Sequence, residues 1–413
     1  MMAVACGVLF PAAATAQSYE LVTAESQLEN GMRYLIVAQS NSNYYAWNGL
    51  DTSSGKVTTV SAPSSNIITS TEAVPVQLEK SGDYWKIIDT ETEQYVGVYS
   101  ESSNYLEGNS SYSLWKITID GAATVQNVPY TSRYLKFNYN LGSGYFGVFG
   151  NEEQTDIALY KEVLSSGSPL TLYNGIDNSA VIDVAAANGG TYNVTLKGRT
   201  LKKDDAWNTL CLPFGIVLEG SPLGSDGVQA MTFDTSTISL SGSTLTLNFT
   251  TVTSIPAGTP FIIKWAASGT EITNPTFTSV TIDKTLKNKD CDLGDGKSIT
   301  FCGTYTPIYY TAEDKSILLL GDDNTLYYPK YGASIKAQRA YFLLSGLTVG
   351  DVAKTRLFFG DEYETTGIFD ISTSRHLEIS NESWYDLQGR KFQGKKPTKS
   401  GLYIHGGRKV VIK

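Results

Sequence analysis

One unit recurs three times between Ser18 and Val163, and it limits what this chain can fold into more than any other feature. Each copy opens with a strand, a polar turn and a second strand carrying an aromatic: RYLIVAQSNSNYYAW (Arg33 to Trp47), YWKIIDTETEQYVGV (Tyr84 to Val98) and ATVQNVPYTSRYLKF (Ala123 to Phe137). A companion apolar strand recurs as VPVQLEK, SLWKITI and IALYKEV, at intervals of roughly 40 residues. A copy of that size cannot bury a core alone, so the three should close together around a pseudo-threefold axis. Tyr, Thr, Ser, Val and Ile dominate, and the 38 glycines punctuate short apolar runs. That composition reads as nearly all-β. Only LVTAESQL, near the start, reads as a short helical turn.

In its W-x-I and x-Y-L rhythm, residues 17–165 resemble the β-trefoil modules of lectins and fascin-like proteins, though without a Gln-x-Trp repeat. The resemblance implies a β-trefoil-like domain; an irregular β-barrel is the alternative. SSGSP (Ser165 to Pro169) has linker composition, because Ser and Gly keep a chain flexible and Pro stops strand pairing. Residues 170–350 then read as a β-sandwich of short strands. Two phrases in it, IPAGTPFIIKW at Ile255 and IKAQRAYFLLS at Ile335, share one pattern. They are expected to be equivalent strands of the two halves, each apolar because it is covered on both faces.

The opening MMAVACGVLFPAAATAQ is an apolar run whose Ala14-Thr15-Ala16 fits the small-x-small pattern before a signal-peptidase cut, which would fall between Ala16 and Gln17. Residues 1–16 therefore read as an export signal, although no Lys or Arg precedes Arg33. Export permits a disulfide, and Cys291 with Cys302 is the plausible pair because they flank one short loop; Cys211, in TLCLPF, reads as buried. No later stretch approaches the ~20 apolar residues of a membrane helix.

The last residues differ in character. Arg375 to Lys413 holds nine Lys/Arg and three Asp/Glu, whereas the whole chain has a net charge of −9, so the preceding residues carry −15. SWYDL leads into a Gln388-Gly389 turn, and LYI and RKVVIK should form a hairpin across His405-Gly406-Gly407. Through Tyr385, Asp386, Leu387 and Gly389, then Gly401, Tyr403 and the terminal Lys413, this segment resembles the C-terminal sorting domain of the bacterial type IX secretion system. That resemblance implies a module, residues 365–413, read by an export machinery, and a protein secreted or held on the outer-membrane surface of a Gram-negative bacterium. A small β-meander capping the sandwich is the alternative.

Both histidines, His376 and His405, lie in this terminal part. The two large regions therefore cannot host a His triad, a His zinc site or a His general base. A glycosidase working through two carboxylates needs no histidine, but the acids that would serve, Asp204, Asp205, Glu152, Glu153, Asp322, Asp323 and Glu362, sit in turn-like contexts. DCDLGDG offers Asp290, Asp292 and Asp295 as weak calcium candidates, with Gly294 where an EF-hand wants an acid or amide. No Gly-rich phosphate loop is present, and the acidic balance argues against nucleic acid. What remains is a supply of aromatics beside Asn, Ser and Gly: Tyr44, Tyr45, Trp47, Tyr99, Tyr105, Tyr139 and Tyr145. Exposed rings beside amides and hydroxyls are the materials of a sugar platform, since a pyranose offers C–H bonds to the ring and hydroxyls to its neighbours. Trp85 and Trp115, in YWKI and LWKI, read instead as core. The expected work is non-catalytic binding of a glycan or of a host or matrix protein, with no cofactor; a carboxylate hydrolase and a purely structural surface component are the alternatives.

Overall fold

The computed structural model describes residues 16–140, 143–225, 227–321, 324–348, 351–352, 354–359, 362–367, 384–385, 401–405 and 408–412. It divides after Ile368 into a large compact unit and a small terminal one. The protein is all-β, as its composition implies.

The threefold unit of the sequence becomes a ring. Arg33–Ser40 pairs with Val76–Ser81, which pairs with Tyr84–Asp89; that strand pairs with Leu114–Asp120, then Ala122–Asn127 and Ile157–Val163, which returns to Arg33–Ser40. Six antiparallel strands thus close a barrel, and three of them are the companion strands seen in the sequence. From the other three spring hairpins, to Asn43–Leu50 and Gly55–Val60, to Gln94–Val98 and Leu106–Gly108, and to Tyr134–Asn140 and Ser143–Phe149. Closure leaves no open edge in the ring.

Ring and hairpins share one core. Trp85 and Trp115 stand opposite each other on neighbouring strands and are both buried. Trp47 lies fully buried over Gly55, where a Cβ would come within 2.1 Å of the indole, so only glycine fits. The Trp47 Nε1 donates to Asp89 at 2.7 Å, tying the first hairpin to the second copy.

Pro169–Tyr173 and Tyr192–Lys197 are parallel neighbours, and Thr276–Val280 joins them antiparallel. Parallel strands need a crossover, and here it is the helix Ser179–Asn188. The sequence expectation of sandwich strands from residue 170 fails at this point. Val181, Ile182 and Ala185 are buried together, a spacing that one side of a helix gathers and the two-residue period of a strand would split between two faces. Its start is capped by the carboxylate of Asp177, which accepts from Ser179 N at 2.8 Å, because Asn178 spends its side chain on Tyr173 and Ile176. SSGSP is not slack either. Ser168 N donates to Ser165 O at 3.0 Å and Gly167 N to Thr191 O at 2.7 Å, which makes the segment a fixed turn. The other expected turn, in LVTAESQL, is a 3-10 turn at Glu25–Gln27.

Further on, a six-stranded sheet (Asn208–Cys211, Pro260–Lys264, Gln229–Ser241, Thr244–Val252, Lys354–Phe359, Glu362–Gly367) faces a five-stranded one that includes Lys289–Gly294, Lys297–Thr304 and Arg339–Ser345. Phenylalanines fill the space between them, with Phe233 5.7 Å from Phe301 and 5.5 Å from Phe342 between ring centres. The two related phrases fall one in each sheet. The first is buried on both faces, Ile262 toward the phenylalanines and Phe261 and Ile263 toward the barrel-side core. The second is not: it alternates, and Leu343 is exposed.

Cys291 and Cys302 form no disulfide; they and Cys211 are free and buried. Cys291 stands opposite Ile299, and Cys302 lies three positions beyond Ile299, an odd step that turns its side chain to the other face of the sheet. Denatured without reductant, the protein should therefore alkylate at Cys211, Cys291 and Cys302 alike, and reductant should leave its melting temperature unchanged. A Cys291–Cys302 cross-linked peptide in a non-reducing digest would contradict this.

The terminal unit is a three-stranded sheet. Trp384–Tyr385 pairs with Gly401–His405, which pairs with Arg408–Ile412 as the expected hairpin. Tyr385, Gly401 and Tyr403 lie on these strands; Asp386, Leu387, Gly389 and Lys413 lie outside the described residues, as do His376 and residues 1–15. Ala16 is described, and the first strand begins at Gln17.

Candidate functional site

The seven aromatics proposed from sequence do not form one surface. Trp47 is fully buried and Tyr45 nearly so, stacked 5.0 Å from Phe137 and tilted against Tyr139 at 5.3 Å. Both are core residues, a correction that follows from the two-residue period: Tyr45 and Trp47 share the inward face of their strand. Tyr44, Tyr139 and Tyr145 are half-buried, and the Tyr145 hydroxyl is taken by Asn138 Nδ2 at 3.0 Å.

Tyr99 and Tyr105 are different. They are 59% and 56% exposed at the mouth of the second hairpin, where Val98 pairs with Leu106. One step outward, Tyr99 N donates to Tyr105 O at 3.1 Å. Directly opposite residues leave a hairpin on the same side, so both rings face solvent together.

Their loop is held by both neighbouring hairpins. Leu106 N donates to Ser53 O at 2.9 Å, and Val148 N to Asn104 O at 3.1 Å. Arg133 reaches across to Glu101 O and, at 3.0 Å, to Asn104 Oδ1. Within the loop Tyr105 N donates to Ser103 Oγ at 3.0 Å. Such anchoring fixes the loop backbone before any ligand arrives, which lowers the ordering cost of binding.

A second aromatic pair lies nearby in sequence, Tyr112 against Tyr130 with ring centres 4.6 Å apart. Hydrogen bonding to Tyr112 in the neutral form, and then burial, push the Tyr130 hydroxyl up to about 12. Tyr112, Tyr130, Asn104 and Arg133 were missed, although the rule that selected Tyr99 and Tyr105, an aromatic in a Ser- or Pro-rich turn, applies equally to SSYS and VPYTSR.

The other candidates stay apart. Asp290 accepts from Thr300 Oγ1 at 2.6 Å and Asp292 from Gly294 N at 2.9 Å, both as turn and strand acceptors. With Asp295 they make no ligand cluster; among the described residues no group of three or more His, Cys, Asp or Glu is placed to hold a metal. Asp205 pairs with Lys264 at 3.1 Å, Asp204 caps Ala206 N and Glu153 caps Gly150 N, all on exposed turns. Glu152 is exposed on the same turn as Glu153. Asp322 and Asp323 lie outside the described residues, and of Glu362 only the backbone is described.

No protein-family model matches the chain, and no curated protein matches it.

Proposed function

We propose that this is an exported, non-catalytic surface protein that binds a glycan through the Tyr99–Tyr105 face of its N-terminal barrel. The observation that carries the reading is the pair itself: two rings more than half exposed, on one side of a loop pinned to both adjacent hairpins. Exposed tyrosines offer sugar C–H groups a flat apolar partner. Asn104, Glu101 and Arg133 beside them supply acceptors and donors for hydroxyls. A ring of six strands carrying three hairpins supports the β-trefoil resemblance of this region. The basic, three-stranded terminal unit supports a sorting or anchoring role, served by an export machinery at the cell surface.

A glycan array read with the parent and with the Tyr99→Ala/Tyr105→Ala double variant tests this. Stacking of two aromatics is worth about 0.5–1.5 kcal/mol each beyond buried area, so affinity should fall at least about fivefold. The melting temperature should stay within about 1 °C, because exposed side chains contribute little to stability. A double variant that binds as the parent does would remove this loop from the reading. Binding only to proteins stripped of sugar would replace the glycan by a host or matrix protein.

A further inference from the structure

A cleft of about 440 Å³ opens between the barrel and the three-stranded sheet that follows it, within the size range of small-ligand sites. Its floor is one face of that sheet. Leu170, Leu172, Val194, Leu196 and Phe277 point the other way into the core, so the alternate residues must face the cleft. Thr171 stands opposite Thr195, and Thr195 opposite Thr276, with the Thr195 and Thr276 hydroxyls 2.9 Å apart. The result is a row of hydroxyls where a sheet packed against a neighbouring wall is ordinarily apolar.

Opposite that floor stands Glu162, on a barrel strand. It is 94% buried by its 6% residual exposure, and its Oε2 has no hydrogen-bond partner. The Arg33 guanidinium lies 3.6 Å away, too far for a hydrogen bond, and is committed to Thr171 O at 2.6 Å and Asn178 Oδ1 at 3.1 Å. A buried carboxylate oxygen ordinarily has a donor. Of the charged groups lining the cleft, Lys197 pairs with Glu91 at 3.2 Å, Arg33 stands 3.6 Å from Glu162, and Glu72 lies at the rim. The cleft is therefore weakly acidic and rich in hydroxyls, with acceptors for a ligand's hydroxyl donors.

We infer that this cleft is a second ligand site, which takes a short neutral glycan segment whose hydroxyls donate to Glu162 and exchange hydrogen bonds with Thr171, Thr195 and Thr276. It is independent of the tyrosine loop, which lies on the barrel's hairpins. An anionic ligand would face the carboxylates of Glu72 and Glu162; a neutral polyol brings hydroxyl donors to them without repulsion. A metal ion is not the occupant, because the glutamates lining the cleft form no ligand cluster.

Calorimetric titration of the full chain with cellotriose, xylotriose, mannotriose, maltotriose and chitotriose, each at millimolar concentration, tests the cleft. The Tyr99→Ala/Tyr105→Ala protein serves as background, so that loss of the loop site and loss of the cleft site are read separately. At least one trisaccharide should still bind this background with one site per chain. Adding Thr195→Tyr, which fills the cleft from a half-buried sheet position where aromatics are favoured, should abolish that binding. Should Thr195→Tyr fail to fold, Thr171→Val/Thr276→Val removes two hydroxyls at constant shape and should weaken binding about tenfold. Absence of saturable binding by every trisaccharide to the loop-silenced protein, or unchanged affinity in a folded cleft variant, overturns the inference.

Discussion

Replacing Asp89 by alanine is expected to destabilise the protein by about 4 kcal/mol, one of the largest single-residue effects the fold allows. The carboxylate is completely buried and serves four donors. Oδ2 accepts from Trp47 Nε1 at 2.7 Å and Leu50 N at 3.1 Å, and Oδ1 from Thr92 N and Oγ1, both at 2.8 Å. Alanine leaves these donors unpaired in a dry site, and each unpaired group costs about 1–3 kcal/mol, less when water enters or neighbours relax. For a unit of this size the main melting transition should drop by about 5 °C. Asp89→Asn keeps one accepting oxygen but turns an amide N–H₂ toward donors, so roughly half of the loss should remain. Asp83→Ala, on an exposed turn one strand away, should stay within about 0.5 kcal/mol. Thermal melts of the three variants decide the matter, and an Asp89→Ala protein that melts with the parent would mean that Trp47 is not held by this carboxylate.

Asp89 also shows where the sequence was readable and where it was not. YWKIID announces its own strand, and LWKITI announces the neighbour that pairs with it, because a repeat carries the same inward residues in each copy. Ring closure followed from that recurrence and from the inability of one copy to bury a core. The direction of a side chain needs more. Tyr44, Tyr45 and Trp47 were grouped as one platform by composition, yet adjacent strand residues point to opposite faces, so Tyr44 and Tyr45 could never have shared a surface. Ser179–Asn188 mixes Val and Ile with Ala, and propensity alone does not separate helix from strand there; the parallel pairing on either side, which demands a crossover, is visible only in three dimensions. The cleft was the least legible part. Thr171, Thr195 and Thr276 come from three separate strands, and Glu162 reads as one more polar residue of IALYKEV until burial removes its solvent.

The second large effect is expected at Arg33, and it should depend on pH. Arg33→Met keeps the volume of a fully buried side chain but removes the bonds to Thr171 O and Asn178 Oδ1, the 4.7 Å stack on Tyr173 and the cation 3.6 Å from Glu162. Leaving one partner of a buried pair alone costs about 3–5 kcal/mol. Burial already pushes the Glu162 carboxyl above its ordinary value, and Arg33 is what pulls it back; without Arg33 it rises further. A carboxyl whose folded pKa exceeds its unfolded one, about 4.3, holds more protons in the folded state between those two values. Stability in that window therefore increases as pH falls. The deficit of Arg33→Met relative to the parent should be largest at pH 7 and shrink toward pH 5 as Glu162 takes up a proton. Arg33→Met/Glu162→Gln should recover part of the loss at pH 7 and show little of the pH dependence, because the stranded charge is gone. Denaturant melts at the two pH values discriminate: a deficit equal at both would mean that Glu162 does not change protonation between them and would overturn the coupling to Arg33 in this window.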